Sequence, residues 1–320
     1  VYIWTTRRRP KSGISDQVDH LIIPPKLETL YRAHFDPLVD WNRIPQPIVI
    51  AGTVYNCGAY LDAVFQNIQA IGRLFRRMYI FMAYDDSPDD SLDKLQQWQS
   101  RLPGLTILPG VKTSTRRTDN LTLARNRLLQ AMRELYQTIA FEFFIVMDMD
   151  NVCSGPMHLP VLQSVLQQAS HWDAVSFPGW NSYYDIWALA IDPYFFSYVH
   201  YENNRRALIR TKNYMLEQLT KGEWIPVHSA FGGFGIYKSQ PFLKCSYAND
   251  FKQNLSFFTK EQIQRSEKIL ETRLMHPASD AVDVHGDCEH RYFHFTAKFK
   301  YDARMFVIPY ALFELRDYDD

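Results

Sequence analysis

The sequence predicts an α/β fold, with a mostly parallel central sheet flanked by helices in one large domain. Strand-like apolar runs alternate with helical periodicities from residue 46 to 150, over short connections. That is the pattern of parallel strands joined by covering helices. The strand-like runs also end in small or acidic residues, at the carboxyl edge where ligands bind in such sheets. Residues 1–45 read as an irregular stem, with a short helix around 27–34. The catalytic unit spans 46–320, as a nucleotide-binding half (46–150) and an acceptor-binding half (151–320).

The elements follow in order. Ile48-Val49-Ile50-Ala51-Gly52-Thr53-Val54 is an apolar run stopped by Asn56 and Gly58, a buried-strand signal. Leu61, Val64, Phe65, Ile68 and Ile71 recur at helical spacing. Met78–Tyr84 is a second strand, ending in the acidic turn Asp85-Asp86. A helix over 91–101 and a strand at Leu105–Leu108 follow, then a helix over Thr122–Gln137 and a strand at Phe143–Asp148. The second half mixes aromatic segments with the Gly-rich stretch Phe231–Gly235.

Composition narrows the function classes. The 320 residues carry 35 basic and 35 acidic side chains, with 46% hydrophobic and 15% aromatic content. Disordered chains are poorer in aromatics, and nucleic-acid binders are basic, so neither class fits. A chain this long buries roughly three quarters of its unfolded surface, so a sizeable core is available. No apolar run of membrane-spanning length occurs. The start, Val1-Tyr2-Ile3-Trp4 followed by Arg7-Arg8-Arg9, reads as a catalytic segment whose membrane anchor lies upstream; a processed soluble protein is the alternative. Cys57, Cys153, Cys245 and Cys288 lack metal-site spacing and are either buried thiols or one or two disulfides. Two glycosylation sequons begin at Asn120 and Asn254.

Five motifs carry chemistry. Asp148-Met149-Asp150 places two carboxylates at a strand end, where they can meet a hard divalent ion such as Mg²⁺ or Mn²⁺. Such an ion also bridges the oxygens of a diphosphate leaving group. Ala51, Gly52 and Thr53 leave room for a base or ribose, and Asp85 and Asp86 are candidate acceptors for its hydrogen bonds. Arg125 is placed to pair with phosphate or to orient an aspartate. Gly232 and Gly233, flanked by aromatics, suit a flat wall for a sugar. The segment His285–His294 is dense in His and carboxylates. Read as extended over 288–295, it puts His290, Tyr292 and His294 on one face, with Asp287 or Glu289 as the base for an acceptor hydroxyl.

The order of these motifs resembles the GT-A class of nucleotide-sugar glycosyltransferases. It is most similar to the fungal capsule-associated α-1,3-mannosyltransferases. The matching pieces are Asn56-Cys57-Gly58-Ala59-Tyr60, Leu123-Ala124-Arg125-Asn126, Ile145 to Val152, Tyr184 to Leu189, and His228 to Tyr237. The resemblance implies a Rossmann-like GT-A sheet, a Mn²⁺ or Mg²⁺ cofactor and a nucleotide-diphosphate sugar donor, with GDP-mannose as the first choice. It also implies a glycan acceptor and a membrane-anchored enzyme of the Golgi lumen.

The motifs and the resemblance together distribute roles among the residues. Asp148, Asp150 and His294 would hold the metal. Ala51, Gly52, Thr53, Asp85, Asp86 and Arg125 would join the aspartates in binding the donor. Trp180, Tyr184, Asp185, Trp187, Gly232 and Gly233 would face the sugars. In an inverting enzyme Asp287 or Glu289 is the base; in a retaining one they stabilise an oxocarbenium-like state. The competing readings are a metal phosphoesterase using His290 and His294, and a carbohydrate-binding module without turnover. No nucleic-acid partner is expected, and nothing in the residues fixes an oligomeric state.

Overall fold

The computed structural model describes residues 43–110, 114–179, 183–275 and 286–314. The expected helix at 27–34, Trp180 and His285 lie outside these residues.

Strand β1 (Ile48–Val54) is central because it is apolar on both faces. Ile48 and Ile50 enter one core and Val49 and Ala51 the other, as the two-residue period of a strand requires. Helix α1 (Gly58–Gly72) buries Leu61, Val64, Phe65, Ile68 and Ile71 against the first face. Strand β2 (Met78–Tyr84), helix α2 (Ser91–Arg101) and strand β3 (Leu105–Pro109) continue the alternation. Helix α3 (Arg117–Tyr136) covers the opposite face with Leu128, Leu129 and Met132. Strand β4 (Phe143–Asp148) then lies parallel to β1, with Thr53 in register with Asp148.

The second half extends the same sheet. Helix α4 (Leu159–Gln167), strand β5 (Ala174–Ser176), helix α5 (Asn204–Thr220) and strands β6 (Ile225–Pro226) and β7 (Phe234–Lys238) come next. Helices α6 (Lys260–Leu270) and α7 (Glu289–Tyr301) and strand β8 (Met305–Val307) complete it. The eight strands run in the order β3-β2-β1-β4-β7-β5-β8-β6. Pairs β3-β2, β2-β1, β1-β4 and β5-β8 are parallel, whereas β7 is antiparallel to both neighbours and β6 to β8. The sheet is therefore mixed but mostly parallel, and it joins both halves of the chain.

One element differs in kind from its expectation. The segment expected to be extended over 288–295 is the start of α7. Eight of the thirteen helical residues are buried, including Glu289, His290, Arg291 and His294. A helix buried nearly all round has no polar face, so its period does not show in the sequence. Its charges still fit the helix dipole, with Glu289 in the first turn and Lys298 and Lys300 in the last.

All four cysteines are free and buried, which selects thiols over disulfides. The sequon at Asn254 presents no open acceptor in the folded chain. Asn254 is fully buried, and its Nδ2 donates to Asp287 Oδ2 at 2.7 Å. The Asn120 Nδ2 donates to the Ser114 carbonyl at 2.7 Å. Among the described residues no helix is long and apolar enough to cross a membrane.

Candidate functional site

The sheet reverses its winding between β1 and β4, with β2 and β3 on one side and the later strands on the other. The crevice beyond the carboxyl ends at such a switch point is where open α/β sheets bind ligands. A cleft of about 190 Å³ lies there. Thr53 and Tyr55 follow from β1, Asp85 from β2 and Gly110 from β3, while Asp148, Met149 and Asp150 follow from β4. The opposite wall is the N-terminal end of α3, through Arg117, Asn120, Ala124 and Arg125. The positive end of a 20-residue helix thus faces the two aspartates.

Asp148 is held from three directions. Its backbone N–H donates to the Gly233 carbonyl at 2.8 Å. Tyr184 donates its hydroxyl to Asp148 Oδ2 at 3.2 Å, and Arg125 Nη2 lies 3.5 Å from Oδ1. Asp150 is 5% exposed, and its Oδ1 accepts the Val152 N–H at 2.9 Å, capping the 3₁₀ turn Asn151–Cys153. Burial, reinforced by the charge of Asp148, pushes the Asp150 carboxyl up to about 7. The two carboxylates line one cleft and repel each other, the relation that a shared divalent cation relieves.

The surroundings add further negative charge. Asp185 accepts the Ala188 N–H at 3.1 Å and the Gly232 N–H at 3.4 Å. Burial, with Asp148 and Glu289 nearby, raises it to about 6. Against these four carboxylates stands one buried guanidinium, Arg125. Burial works against its charge, but Glu289 and Asp148 outweigh burial and keep it protonated.

The glycines that position this wall are conformationally required. Gly233 has φ +82°, and a Cβ there would lie 2.5 Å from Val152 Cγ1 and 3.0 Å from the Tyr184 hydroxyl. Left-handed backbone costs a non-glycine residue roughly 1–2 kcal/mol before any clash. Gly233→Ala is therefore expected to lower the melting temperature by several degrees in thermal denaturation. An unchanged melting curve would show that the wall yields freely.

Several predicted residues take other places. Ala51 is wholly buried in the core, and Gly52 packs against Met149 and Met82; neither borders the cleft. Asp86 is exposed beside it and donates its backbone N–H to Asp85 Oδ1. Trp187 packs on the core, with its indole N–H enclosed and without a partner. Gly232, at φ +64°, acts through its backbone N–H on Asp185.

The three candidates from the segment 285–294, Asp287, Glu289 and His294, do not line the cleft either. Both ring nitrogens of His294 are engaged, Nδ1 with Ser229 Oγ at 2.9 Å and Nε2 with the Tyr237 hydroxyl at 3.1 Å. Burial and the charges of Arg125 and Arg291 lower it to about 3. Asp287 does not border the cleft. It is fully buried, 3.1 Å from His200 Nε2 and 3.2 Å from Arg291 Nε. These charges overcome burial and lower it to about 2. Glu289 is 3% exposed and bound to Arg125 Nε at 2.8 Å, so it is already occupied.

The sequence reading missed Tyr55, Thr115, Arg117 and Asn120, all on the cleft. It began the third helix at Thr122, whereas α3 begins at Arg117. That displacement removed the turn that faces the aspartates. Arg116-Arg117 just before a periodic segment was the available signal. Phe231 and Tyr247, whose rings lie 5.1 and 6.0 Å from the Arg125 guanidinium, had no signal beyond their aromatic character.

Among the described residues, no third His, Cys, Asp or Glu joins the two aspartates into a three-ligand group. The donor set still fits Mg²⁺ or Mn²⁺, which take one or two carboxylates and complete their shell with water and substrate phosphate.

No protein-family model matches the chain, and no curated protein matches it. Solved structures that resemble it include S. aureus TarS 1-349 in complex with UDP-GlcNAc, with TM-score 0.41, 13% identity and 84% of this chain covered. Another is the mannosyltransferase PcManGT from Pyrobaculum calidifontis in complex with GDP-Man and Mn²⁺, with TM-score 0.38, 14% identity and 75% covered. A third is glucosyl-3-phosphoglycerate synthase from Mycobacterium tuberculosis with UDP, with TM-score 0.30, 16% identity and 41% covered. The chain spans 58% of the length of each of the first two and 44% of the third. None of these likenesses is close enough to lend this chain a residue role, and the fold rests on its own sheet topology.

Proposed function

We propose that this chain is a metal-dependent glycosyltransferase of the GT-A type. It moves a sugar from a nucleotide-diphosphate sugar to a hydroxyl of a glycan or similar acceptor. One observation carries the reading: Asp148 and Asp150 share a switch-point cleft, each opposing the other's charge, opposite the N-terminal end of α3. The mixed, mostly parallel sheet agrees with the GT-A architecture that the sequence resemblance implies.

In this reading Asp148 and Asp150 hold the cation. When bound, Mn²⁺ or Mg²⁺ neutralises charge that develops on the leaving diphosphate. Arg117 and the first turn of α3 face the same phosphates, so the anion meets helix dipole and guanidinium together. Tyr184 fixes Asp148 Oδ2 and, being 46% exposed, offers its ring as a face for the sugar. Asp185, held by two backbone N–H groups, accepts a sugar hydroxyl. Thr53, Tyr55 and Asp85 border the part of the cleft left for base and ribose. The phosphoesterase alternative required His290 and His294 beside the aspartates, and both imidazoles are instead buried within α7.

The test is transfer of labelled sugar from GDP-mannose, and from UDP-sugars for comparison, with Mn²⁺ present. Excess chelator is expected to abolish transfer and added Mn²⁺ to restore it. The correct donor at about 100 times its Kd stabilises the fold by about 2.7 kcal/mol, a rise of several degrees in melting temperature. Release of nucleoside monophosphate and sugar 1-phosphate without transfer assigns a phosphoesterase, and donor binding without turnover assigns a binding module. Full activity in chelator removes the metal from the mechanism.

A further inference from the structure

Arg125 stands between two carboxylates that come from distant parts of the chain. Its Nε donates to Glu289 Oε1 at 2.8 Å, across 164 residues, and its Nη2 lies 3.5 Å from Asp148 Oδ1. The side chains of Arg125 and Glu289 are 4% and 3% exposed, so water and salt barely screen the pair. The guanidinium rests against the rings of Phe231 and Tyr247. The other groups at Glu289 bring no positive charge. Cys288 Sγ lies 3.9 Å from its Oε2, and the buried His290, held neutral, places Nε2 3.7 Å from its Oε1. One positive charge is therefore divided between Glu289 and Asp148.

Building on the site reading above, we infer that Glu289 is a positioning residue that enforces metal dependence. By taking up much of the Arg125 charge, it leaves Asp148 negative enough to hold a divalent cation. By the same means it restrains Arg125 from binding a bare diphosphate. The cation then has to be in place for the donor phosphates to be held.

Glu289→Gln tests this in the full chain. The amide oxygen still accepts the Arg125 Nε–H, and only the charge is lost. Two affinities are measured without turnover: Mn²⁺ alone by electron paramagnetic resonance titration, and inorganic pyrophosphate in excess chelator by calorimetry. Mn²⁺ affinity is expected to fall about tenfold, the lower end of the effect of groups that support a metal ligand. Pyrophosphate affinity is expected to rise. Simple loosening of the site would weaken both. Glu289→Asp, which restores the charge, is expected to return Mn²⁺ binding toward the parent value.

If the two affinities move together, or neither moves, the assignment to Glu289 is overturned while the site reading stands. A parent chain that binds neither Mn²⁺ nor any nucleotide sugar overturns both. If Glu289→Gln does not fold, the double variant Arg125→Met, Glu289→Met replaces it. Exchange of a buried ion pair for apolar residues of similar volume is tolerated. With both charges gone, Mn²⁺ affinity is expected close to that of the parent, and a tenfold loss there overturns the proposal.

Discussion

Asp150→Asn is expected to abolish transfer and yet melt higher than the parent at pH 8 in the presence of chelator. Loss of one of two cation-holding carboxylates removes electrostatic stabilisation of the leaving diphosphate, an effect on the order of 10²–10³ in kcat. The gain in stability has a separate cause. Asp150 has its carboxyl raised from 3.8 to about 7 because burial and Asp148 oppose its charge. Ionisation is therefore easier in the unfolded chain than in the folded one. The native state loses stability as pH rises from 3.8 toward about 7, and the loss is complete above that. Asparagine removes this penalty, so its advantage is large at pH 8 and shrinks toward pH 5. Asp148→Asn is expected to reduce transfer similarly. Melting curves at the two pH values and a labelled-donor assay check both halves. A parent that melts higher at both values would mean that Asp150 is already compensated in the fold.

Asp287→Ala is expected to act in the opposite sense, as a failure of folding. It strips the partner from Arg291, which is fully buried and also donates through Nη1 to the Leu189 carbonyl at 2.7 Å. It also strips the partner from His200 and from Asn254 Nδ2. A buried charge left alone in this way costs about 3–5 kcal/mol. At this chain length that corresponds to a fall of roughly 4–8 degrees in melting temperature. Here the carboxyl is lowered, from 3.8 to about 2. Its contribution is present above the unfolded value and is lost as pH falls from 3.8 through about 2. The deficit of the variant should therefore be full at neutral pH and narrow only in acid. A stable variant with selectively reduced kcat would return Asp287 to the list of proton acceptors.

The first half of the fold and the heart of the site were legible because their signals are local. Strands β1 to β4 are apolar runs of five to seven residues closed by small or acidic residues, and each matches its predicted place closely. Asp148 and Asp150 were visible for the same reason: carboxylates directly after an apolar run must sit at the strand's carboxyl end. The antiparallel insertion of β7 between β4 and β5 was not visible, because strand order depends on pairing between distant segments. The five-residue error at the start of α3 came from a first turn that is polar and faces the cleft, where apolar periodicity has nothing to report.

What the amino-acid order determined by itself is the alternation of strand and helix, the carboxyl edge on which function sits, and the two aspartates that occupy it. Tertiary structure alone decided which other charges reach that edge. Glu289 meets Arg125 there, while Asp287, two residues earlier, turns away to His200 and Arg291. His294 closes on Ser229 and Tyr237 rather than on the aspartates. The reason is physical: burial of apolar faces leaves a repeating trace along the chain, whereas the partner of a buried charge is set by which distant element packs against it.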